Sequence, residues 1–315
     1  MKLALGIVVS SGFRADTEFL FGRAVETGQT RAPEGLLALA SHLQTGAINR
    51  ELPNDLRVTE VRTILSRKFP TDVARNEICA QAVEWGSDYL LFLDADMVHP
   101  VSMLAALLQH RKPVITARYH LKKAPFSAVS YVKHRVDTGA HRYSTVHFGR
   151  GVFEIERGGA GALLIRGDVL RAVRDRQATR WQRAIAEAAG LSDDAKNLLD
   201  VPDVPVCQWF RYQRGPQAPH DMTVSEDFWF YRQVREAGFA CYVDWEIDVP
   251  HVGPMAIDGS FNRPFLQTQM AEYENPEARA DVLGKTVVMG YEGGMQLGDR
   301  AEDCVPAYVV TAGER

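Results

Sequence analysis

An apolar run that ends abruptly in two carboxylates lies in the first third of the chain. Residues 90–93 read Leu-Leu-Phe-Leu, and Asp94 and Asp96 follow with one alanine between them. Because the run lacks polar alternation, it predicts a strand buried on both faces of a parallel sheet. Open α/β sheets bind their ligands at the carboxyl ends of such strands. Two acidic side chains at this place suit a hard divalent cation that is also held by substrate phosphates.

The composition fits a globular protein with a sizeable core. The chain has 315 residues, of which 46% are hydrophobic, and its formal net charge is −4. This charge disfavours, without excluding, nucleic acid or an anionic membrane as a partner. The cysteines form no CxxC pair, so we expect reduced thiols rather than zinc or disulfides. The apolar stretch at the N-terminus predicts a first strand rather than a signal peptide, and no run reaches about 18 apolar residues, so we expect a cytoplasmic protein.

Strands and helices alternate in the first half of the chain. Strand patterns occur at 3–9, 58–65, 89–93 and 113–116, and helical patterns occur at 34–43, 71–85 and 100–110. This order predicts an α/β fold with a doubly wound, mostly parallel sheet. The second half is more mixed. It has candidate strands at 127–132, 144–155, 162–165, 206–212 and 239–243, helices at 169–174 and 225–237, and a flexible glycine-rich turn at 158–161.

Four blocks together resemble the nucleotide-sugar glycosyltransferases of the GT-A fold. The blocks are Ala74-Arg75-Asn76, Asp94-Ala95-Asp96, the segment from Gly159 to Ile165, and Ser225-Glu226-Asp227 followed by His251. They occur in the family's order and span about residues 3 to 253. The resemblance, to members with a DxD motif, implies a Rossmann-like, mostly parallel central sheet flanked by helices, with a mixed acceptor-side half.

The resemblance also divides the chain. Residues 1–118 would be the half that binds the nucleotide-sugar donor, and residues 119–254 would be the acceptor and catalytic half of the same GT-A domain. Residues 255–315 are a C-terminal extension of unknown role, and the charged segment 176–200 has no counterpart in the resemblance.

The triplet Asp94-Ala95-Asp96, here called the acidic triplet, is expected to hold Mn²⁺ or Mg²⁺. A divalent cation neutralises a diphosphate leaving group as a Lewis acid. By resemblance, Asp96 binds the metal directly, Asp94 lies near the ribose or binds the metal through water, and His251 is a third ligand. A histidine beside two carboxylates favours Mn²⁺. The alternatives are that both aspartates only cap the loop before the next helix, and that His251 is a half-buried histidine bonded to backbone. His99 is a further candidate ligand, although it occupies an N-cap position.

Glu226 and Asp227 open a predicted helix. By resemblance to inverting transferases, Asp227 is the general base that takes the proton of the acceptor hydroxyl, and Glu226 is the second candidate. A retaining enzyme would use these acids to bind the acceptor instead, and the sequence leaves both alternatives open. Negative charge at the positive end of a helix dipole would explain the pair without a catalytic role.

The donor is expected to contact residues from several elements. By resemblance these residues are Ser10, Ser11, Arg14, Arg75, Asn76 and Asp94. Arg75 could reach the diphosphate with a forked contact, or it could be a solvated arginine paired with Glu77 or Asp72. The basic run from Arg118 to Lys123 could hold a diphosphate or an anionic acceptor, or be a solvated loop.

Sugar or acceptor contacts are expected from Gly159, Ala160 and Gly161, because small residues let a ligand approach the backbone. Trp209 could form an aromatic wall for a sugar face. The alternatives are a plain turn before a buried strand and a core tryptophan.

The sequence therefore predicts a metal-dependent glycosyltransferase of the hexosyltransferase class. It would move a sugar from a UDP-sugar, or second from a GDP-sugar, to a hydroxyl acceptor of unknown class. One alternative is a nucleotidyltransferase on a similar sheet, although the stretch 10–14 matches the glycine-rich basic signature of such enzymes poorly. A transferase acting on modified bases of viral DNA would require a basic groove. A non-catalytic binding module is the third possibility.

Overall fold

A seven-stranded sheet organises the described part of the chain. The structure is a computed structural model, described here for residues 1–8, 31–66, 68, 70–122, 126–135, 141–147, 149–188, 207–212, 225–252, 256–257, 286–290 and 305–310. Within these residues, no helix is both long enough and apolar enough to cross a membrane.

The strands and helices of the described residues are as follows. The strands are β1 (Lys2–Val8), β2 (Glu60–Ser66), β3 (Tyr89–Asp94), β4 (Val114–Arg118), β5 (Ser130–Arg135), β6 (His141–Thr145), β7 (Val152–Ile155), β8 (Arg157–Gly158), β9 (Ala162–Arg166), β10 (Cys241–Asp248), β11 (His251–Val252), β12 (Ala256–Ile257), β13 (Thr286–Gly290) and β14 (Val305–Val310). The α-helices are α1 (Arg31–Gln44), α2 (Thr71–Glu84), α3 (Met103–Gln109), α4 (Gly167–Ala188) and α5 (Glu226–Glu236).

The central sheet has the order β2-β1-β3-β9-β4-β10-β7. β1 pairs in parallel with β2 and β3, and β4 pairs in parallel with β10. β9 runs antiparallel to both of its neighbours, β3 and β4, and β7 runs antiparallel to β10. Five of the seven strands therefore point the same way. The predicted α/β class, with a mostly parallel central sheet flanked by helices and a mixed second half, is confirmed.

The predicted buried strand is β3, near the middle of this sheet. Its residues Leu90, Leu91, Phe92 and Leu93 are at most 1% exposed. Leu90 and Phe92 pack in an apolar cluster with residues of α2, whereas Leu91 and Leu93 pack in a second cluster with residues of α3. Helices thus cover both faces of the strand, which explains why the run has no polar alternation.

The glycine-rich segment 159–161 is held beside the acidic end of β3. Because β9 runs opposite to β3, Ala162 pairs with Leu93, and the N–H of Asp94 donates to the carbonyl of Gly161 at 2.9 Å. The N–H of Gly159 donates to the carbonyl of Val129 at 3.2 Å, and Gly159, Ala160 and Gly161 are all buried. The prediction of a flexible turn at 158–161 is therefore wrong, since backbone hydrogen bonds fix this segment on both sides.

Other boundaries also differ from the predictions. Residues 207–212 form no strand, and the backbone of Phe210 is hydrogen-bonded to the side-chain amide of Asn76. The helix predicted at 169–174 continues as α4 through much of the charged segment 176–200. Ser10, Ser11, Arg14 and most of the extension 255–315 lie outside the described residues.

Candidate functional site

Four charged side chains meet at the carboxyl end of β3. Asp94 ends that strand, Arg75 comes from α2, and Glu226 and Asp227 open α5. Nη2 of Arg75 donates to both carboxylate oxygens of Asp94, at 3.3 and 3.2 Å. Its Nε lies 3.9 Å from Glu226 Oε1 and 3.9 Å from Asp227 Oδ1. We call these four residues the arginine cluster.

Arg75 is 3% exposed, so its charge must be met inside the protein. Nη1 donates to the carbonyl of Ala160 at 2.9 Å. The guanidinium carbon lies 5.6 Å from the centre of the Phe92 ring and 5.5 Å from that of the Phe210 ring. Burial alone would lower the pKa of Arg75, but the charges of the three carboxylates outweigh burial and raise the pKa above its ordinary value. The guanidinium therefore stays charged.

The alternative of Arg75 as a solvated arginine paired with Glu77 or Asp72 is wrong. Arg75 faces the interior, and Glu77 pairs with Lys68 at 2.8 Å instead. The hydrogen bonds of Arg75 hold the carboxylate of Asp94 and a backbone carbonyl in place. Its contact with a donor stays a prediction.

The arginine cluster has more negative than positive charge, with one guanidinium for three carboxylates. Burial raises the pKa of Asp227 to about 7, and the charges of Glu226 and Asp94 add to this effect, although Arg75 and the backbone N–H of Ala160 oppose it. Oδ1 of Asp227 is buried and has no hydrogen-bond partner among the described residues. The side chain as a whole keeps 17% exposure. A carboxylate that takes up a proton near neutral pH suits general base catalysis.

A second group of charges surrounds Asp96. Its Oδ2 lies 2.5 Å from Nζ of Lys122 and 3.6 Å from Nε2 of His251. A β-bridge between Met97 and His251 brings the histidine to the acidic triplet. Nδ1 of His251 lies 2.9 Å from the carbonyl oxygen of His120, to which an Nδ1–H would donate. Nε2 is then left facing Asp96. We call Asp96, Lys122 and His251 the lysine group.

Asp96 and His251 have the chemistry of a pair of metal ligands. Burial alone would raise the pKa of Asp96, but His251 and Lys122 outweigh burial and hold the pKa well below its usual range, so Asp96 is ionised at neutral pH. A histidine whose Nδ1 is bonded to a carbonyl presents Nε2 as metal-binding histidines do. Across the described ranges, no three His, Cys, Asp or Glu side chains are grouped so that they could hold a metal ion. Asp96 and His251 could therefore supply two ligands to a metal ion that is also held by a substrate. The expected role of Asp94 stays a prediction.

The alternative in which both aspartates only cap the loop before α3 is wrong. Asp94 binds Arg75, and Asp96 binds Lys122, so both carboxylates meet charged side chains rather than a helix terminus. His99 is buried, and its Nε2 lies 3.0 Å from the carbonyl oxygen of Asp94. Burial lowers the pKa of His99, which favours a neutral ring that supports the backbone of the triplet.

Protein side chains already fill the space beside the two glycines of segment 159–161. A Cβ at Gly159 would overlap the hydroxyl of Tyr119, and a Cβ at Gly161 would overlap Met97 and lie 3.0 Å from Asp94 Oδ2. The N–H of Gly161 also donates to Tyr119 Oη at 3.4 Å. The glycines allow this close packing, and the expected contact of Gly159, Ala160 and Gly161 with a sugar or acceptor stays a prediction.

Tyr119 was missed by the sequence analysis, yet it lies between the arginine cluster and the lysine group. Its ring meets that of His251 edge to face, with centroids 5.8 Å apart. Burial raises its pKa well above the ordinary value, and the nearby charges of Asp227 and Asp94 add to the rise. Tyr119 directly follows β4, at the same end of the parallel strands as Asp94, the last residue of β3. A polar residue immediately after a parallel strand is the signal that could have found it.

Two of the predicted contact residues have structural partners. Nδ2 of Asn76 donates to the carbonyl of Phe210 at 2.8 Å, and its Oδ1 accepts from the N–H of Phe210 at 2.9 Å. Trp209 is 2% exposed, and its indole N–H donates to the carbonyl of Leu170 at 2.9 Å. The donor contact of Asn76 and the sugar contact of Trp209 stay predictions that these positions do not support.

A separate cleft of about 940 Å³ lies between α2, α4 and α5. Its walls include Arg174, Trp181, Arg211, Trp229 and Arg232. The guanidinium groups of Arg211 and Arg232 lie 5.5 and 4.4 Å from the centre of the Trp229 ring. No residue of the arginine cluster or the lysine group lines this cleft, so it is not the predicted donor site.

Comparisons with known proteins give similarities of fold. No family model matches the chain, and no curated protein matches it. Among solved structures, A197 from STIV is 14% identical over 82% of this chain and 91% of that chain, with a TM-score of 0.39. GalNAc-T7 with UDP, GalNAc and Mn²⁺ is 9% identical over 80% of this chain but only 44% of that chain, with a TM-score of 0.37. Apo UDP-glucose pyrophosphorylase is 10% identical over 85% of this chain and 82% of that chain, with a TM-score of 0.33.

At these identities and TM-scores the comparisons assign no function to this chain. The functional assignment must therefore come from the residues at the carboxyl end of β3.

Replacement of Gly159 by alanine tests the close packing of this segment. We expect Gly159→Ala to lower the free energy of unfolding by about 1–3 kcal/mol, because the added methyl overlaps the hydroxyl of Tyr119. Urea denaturation measures this loss. The double variant with Tyr119→Leu, which removes both Oη and Cζ, should show a smaller effect of the alanine, whereas strictly additive effects would contradict the proposed contact.

The charge imbalance of the arginine cluster predicts opposite effects of two variants. Arg75→Met leaves three buried or half-buried carboxylates without their cation, so we expect the free energy of unfolding to fall by about 3–5 kcal/mol at about pH 8. The loss should shrink toward pH 5, where Asp227 takes up a proton and one negative charge is removed from the cluster.

Asp227→Asn is the matched control, since it removes one of the negative charges. The folded-state pKa of Asp227 is raised above its unfolded value, so this group lowers stability progressively as the pH rises from about 4 to about 7, and the full cost remains above pH 7. We expect the asparagine variant to be at least as stable as the wild type at about pH 8 in urea denaturation. Equal stability of the wild type and Arg75→Met at both pH values would contradict the charged cluster.

Proposed function

We propose that the chain is a metal-assisted glycosyltransferase that moves a sugar from a nucleoside-diphosphate donor to a hydroxyl acceptor. UDP-sugar is the first donor to test, and GDP-sugar is the second. The observation that carries this proposal is the largely buried Asp227, whose pKa is raised to about 7 and which shares one guanidinium with Asp94 at the carboxyl end of the central strand.

The burial and the raised pKa of Asp227 support its role as the general base. As the acceptor oxygen attacks the anomeric carbon, the bond from that carbon to the diphosphate oxygen breaks, and the hydroxyl proton passes to the Asp227 carboxylate. Arg75 and the N–H of Ala160 hold this carboxylate. Glu226 lies against the same guanidinium, and its charge helps to raise the pKa of Asp227. This assignment is the inverting one. In a retaining enzyme the same acids would bind the acceptor.

Asp96 and His251 would hold the divalent ion directly. Asp94 would lie near the ribose or bind the ion through water. When bound, Mn²⁺ or Mg²⁺ supplies the positive charge that a diphosphate leaving group requires. The bond from Nδ1 of His251 to the carbonyl of His120 keeps the ring oriented toward Asp96. Tyr119 and segment 159–161 are buried and pack against each other beside the acidic end of β3.

Nucleotidyl transfer is distinguished from glycosyl transfer by the product. A glycosyltransferase releases the nucleoside diphosphate from the donor, and slow hydrolysis of the donor by water releases the same product without an acceptor. A nucleotidyltransferase releases pyrophosphate from a nucleoside triphosphate and a sugar phosphate. The cleft lined by Arg211, Trp229 and Arg232 has the basic and aromatic side chains that bind nucleic acids, so single-stranded DNA belongs among the acceptors tested.

Thermal-shift measurements with UDP-, GDP- and dTDP-sugars test the donor and the metal together. We expect stabilisation by one nucleotide class that requires Mn²⁺, because the metal links Asp96 to the diphosphate. Asp96→Asn should lose this shift, and Asp175→Asn, which changes an exposed aspartate of α4, should keep it. A full shift in the Asp96 variant, or release of pyrophosphate rather than a nucleoside diphosphate, would contradict the proposed function.

The pKa of Asp227 predicts how donor turnover depends on pH. Only the ionised carboxylate accepts a proton, so we expect kcat/KM at saturating Mn²⁺ to rise up to tenfold per pH unit below about 7 and to level off above that value. Asp227→Asn should be at least about 100-fold slower and lack this rise. A rate that is independent of pH between about 5.5 and 8 would rule out Asp227 as the base.

A further inference from the structure

Lys122 occupies the oxygen of Asp96 at which a metal ion is expected. Its Nζ lies 2.5 Å from Oδ2, and Nε2 of His251 lies 3.6 Å from that same oxygen. A cation shared by the carboxylate and the imidazole would use this oxygen. The ammonium of Lys122 therefore has the place that a divalent ion would otherwise take.

The two partners of Asp96 differ in how firmly they are held. His251 is fixed by its bond to the carbonyl of His120 and by its bridge with Met97. Lys122 has a flexible four-carbon side chain that is 34% exposed, and its ammonium group forms an ion pair with Asp96. When a second cation competes for Asp96, Lys122 is therefore the group that moves.

An incoming divalent ion and an ammonium group repel each other at one carboxylate oxygen. The displaced ammonium then needs another anion close to Asp96. A donor that carries a diphosphate brings this anion, and lysine binds phosphates as a mobile point charge. Lys122 lies four residues after the end of β4, at the same end of the parallel strands as Asp94 and Asp96.

We propose that Lys122 is a tethered cation that competes with the divalent ion for Asp96 and transfers to the diphosphate of the donor when the ion binds. This inference rests on the proposed function. Its consequence is coupling between two ligands. The metal ion binds weakly to the protein alone, because it must displace Lys122 without compensation, and it binds tightly together with a nucleoside diphosphate, because the displaced lysine gains a new partner.

Binding of Mn²⁺, followed by electron paramagnetic resonance of the free ion, tests this coupling in the full chain with and without UDP. We expect Lys122→Met to bind Mn²⁺ alone about tenfold more tightly than the wild type and to bind UDP in the presence of Mn²⁺ about tenfold more weakly. Lys122→Arg keeps the charge and should keep the weak binding of Mn²⁺ alone. Lys133→Met removes the same charge from β5 and should behave as the wild type.

Equal affinity of the wild type and Lys122→Met for Mn²⁺ alone would overturn the inference. So would an equal change in Lys133→Met, which would reflect net charge. Asp96→Asn separates this failure from failure of the proposed function. If Asp96→Asn loses Mn²⁺ while Lys122→Met is unchanged, only the competition is absent. If the wild type binds neither Mn²⁺ nor Mn²⁺ with a nucleoside diphosphate, the metal-assisted transferase is wrong as well.

Discussion

A single buried guanidinium determines the geometry at the carboxyl end of the central strand. Arg75 binds Asp94, the carbonyl of Ala160 and, at longer range, Glu226 and Asp227, so one side chain connects α2, β3, segment 159–161 and α5. The charges and hydrogen bonds of these partners offset the cost of burying the guanidinium. Burial, with the charges of Glu226 and Asp94 adding to it, raises the pKa of Asp227 to about 7. Stability and chemistry therefore depend on the same interaction.

The sequence predicted the fold well where a pattern was continuous. The unbroken apolar run at 90–93 and the alternation of elements were sufficient for the mostly parallel sheet and for the position of the acidic triplet. The glycine-rich segment was misjudged as flexible. Glycine indicates conformational freedom in a single sequence, whereas here it reflects the close approach of Tyr119, which lies about 40 residues earlier in the chain.

The candidate site was predicted residue by residue but not as an arrangement. Spacing gives the positions of Asp94 and Asp96, yet it does not reveal that their carboxylates belong to two different charge groups. Lys122 appeared in the sequence only as part of a basic run, and its ion pair with Asp96 joins residues that are 26 positions apart. Such pairings between distant elements require the folded backbone. The comparisons with solved structures do not supply them, since they extend to the fold alone.

The antiparallel strand β9 has a consequence for the order of assembly. It is inserted between β3 and β4, both of which precede it in the chain by more than 40 residues. Until Ala162–Arg166 has been synthesised and inserted, those two strands have open hydrogen-bonding edges at the centre of the future sheet. Open edges of apolar strands are sites of intermolecular pairing, and contacts between distant segments form slowly. The nascent protein therefore exposes these two strand edges until β9 has been inserted between them.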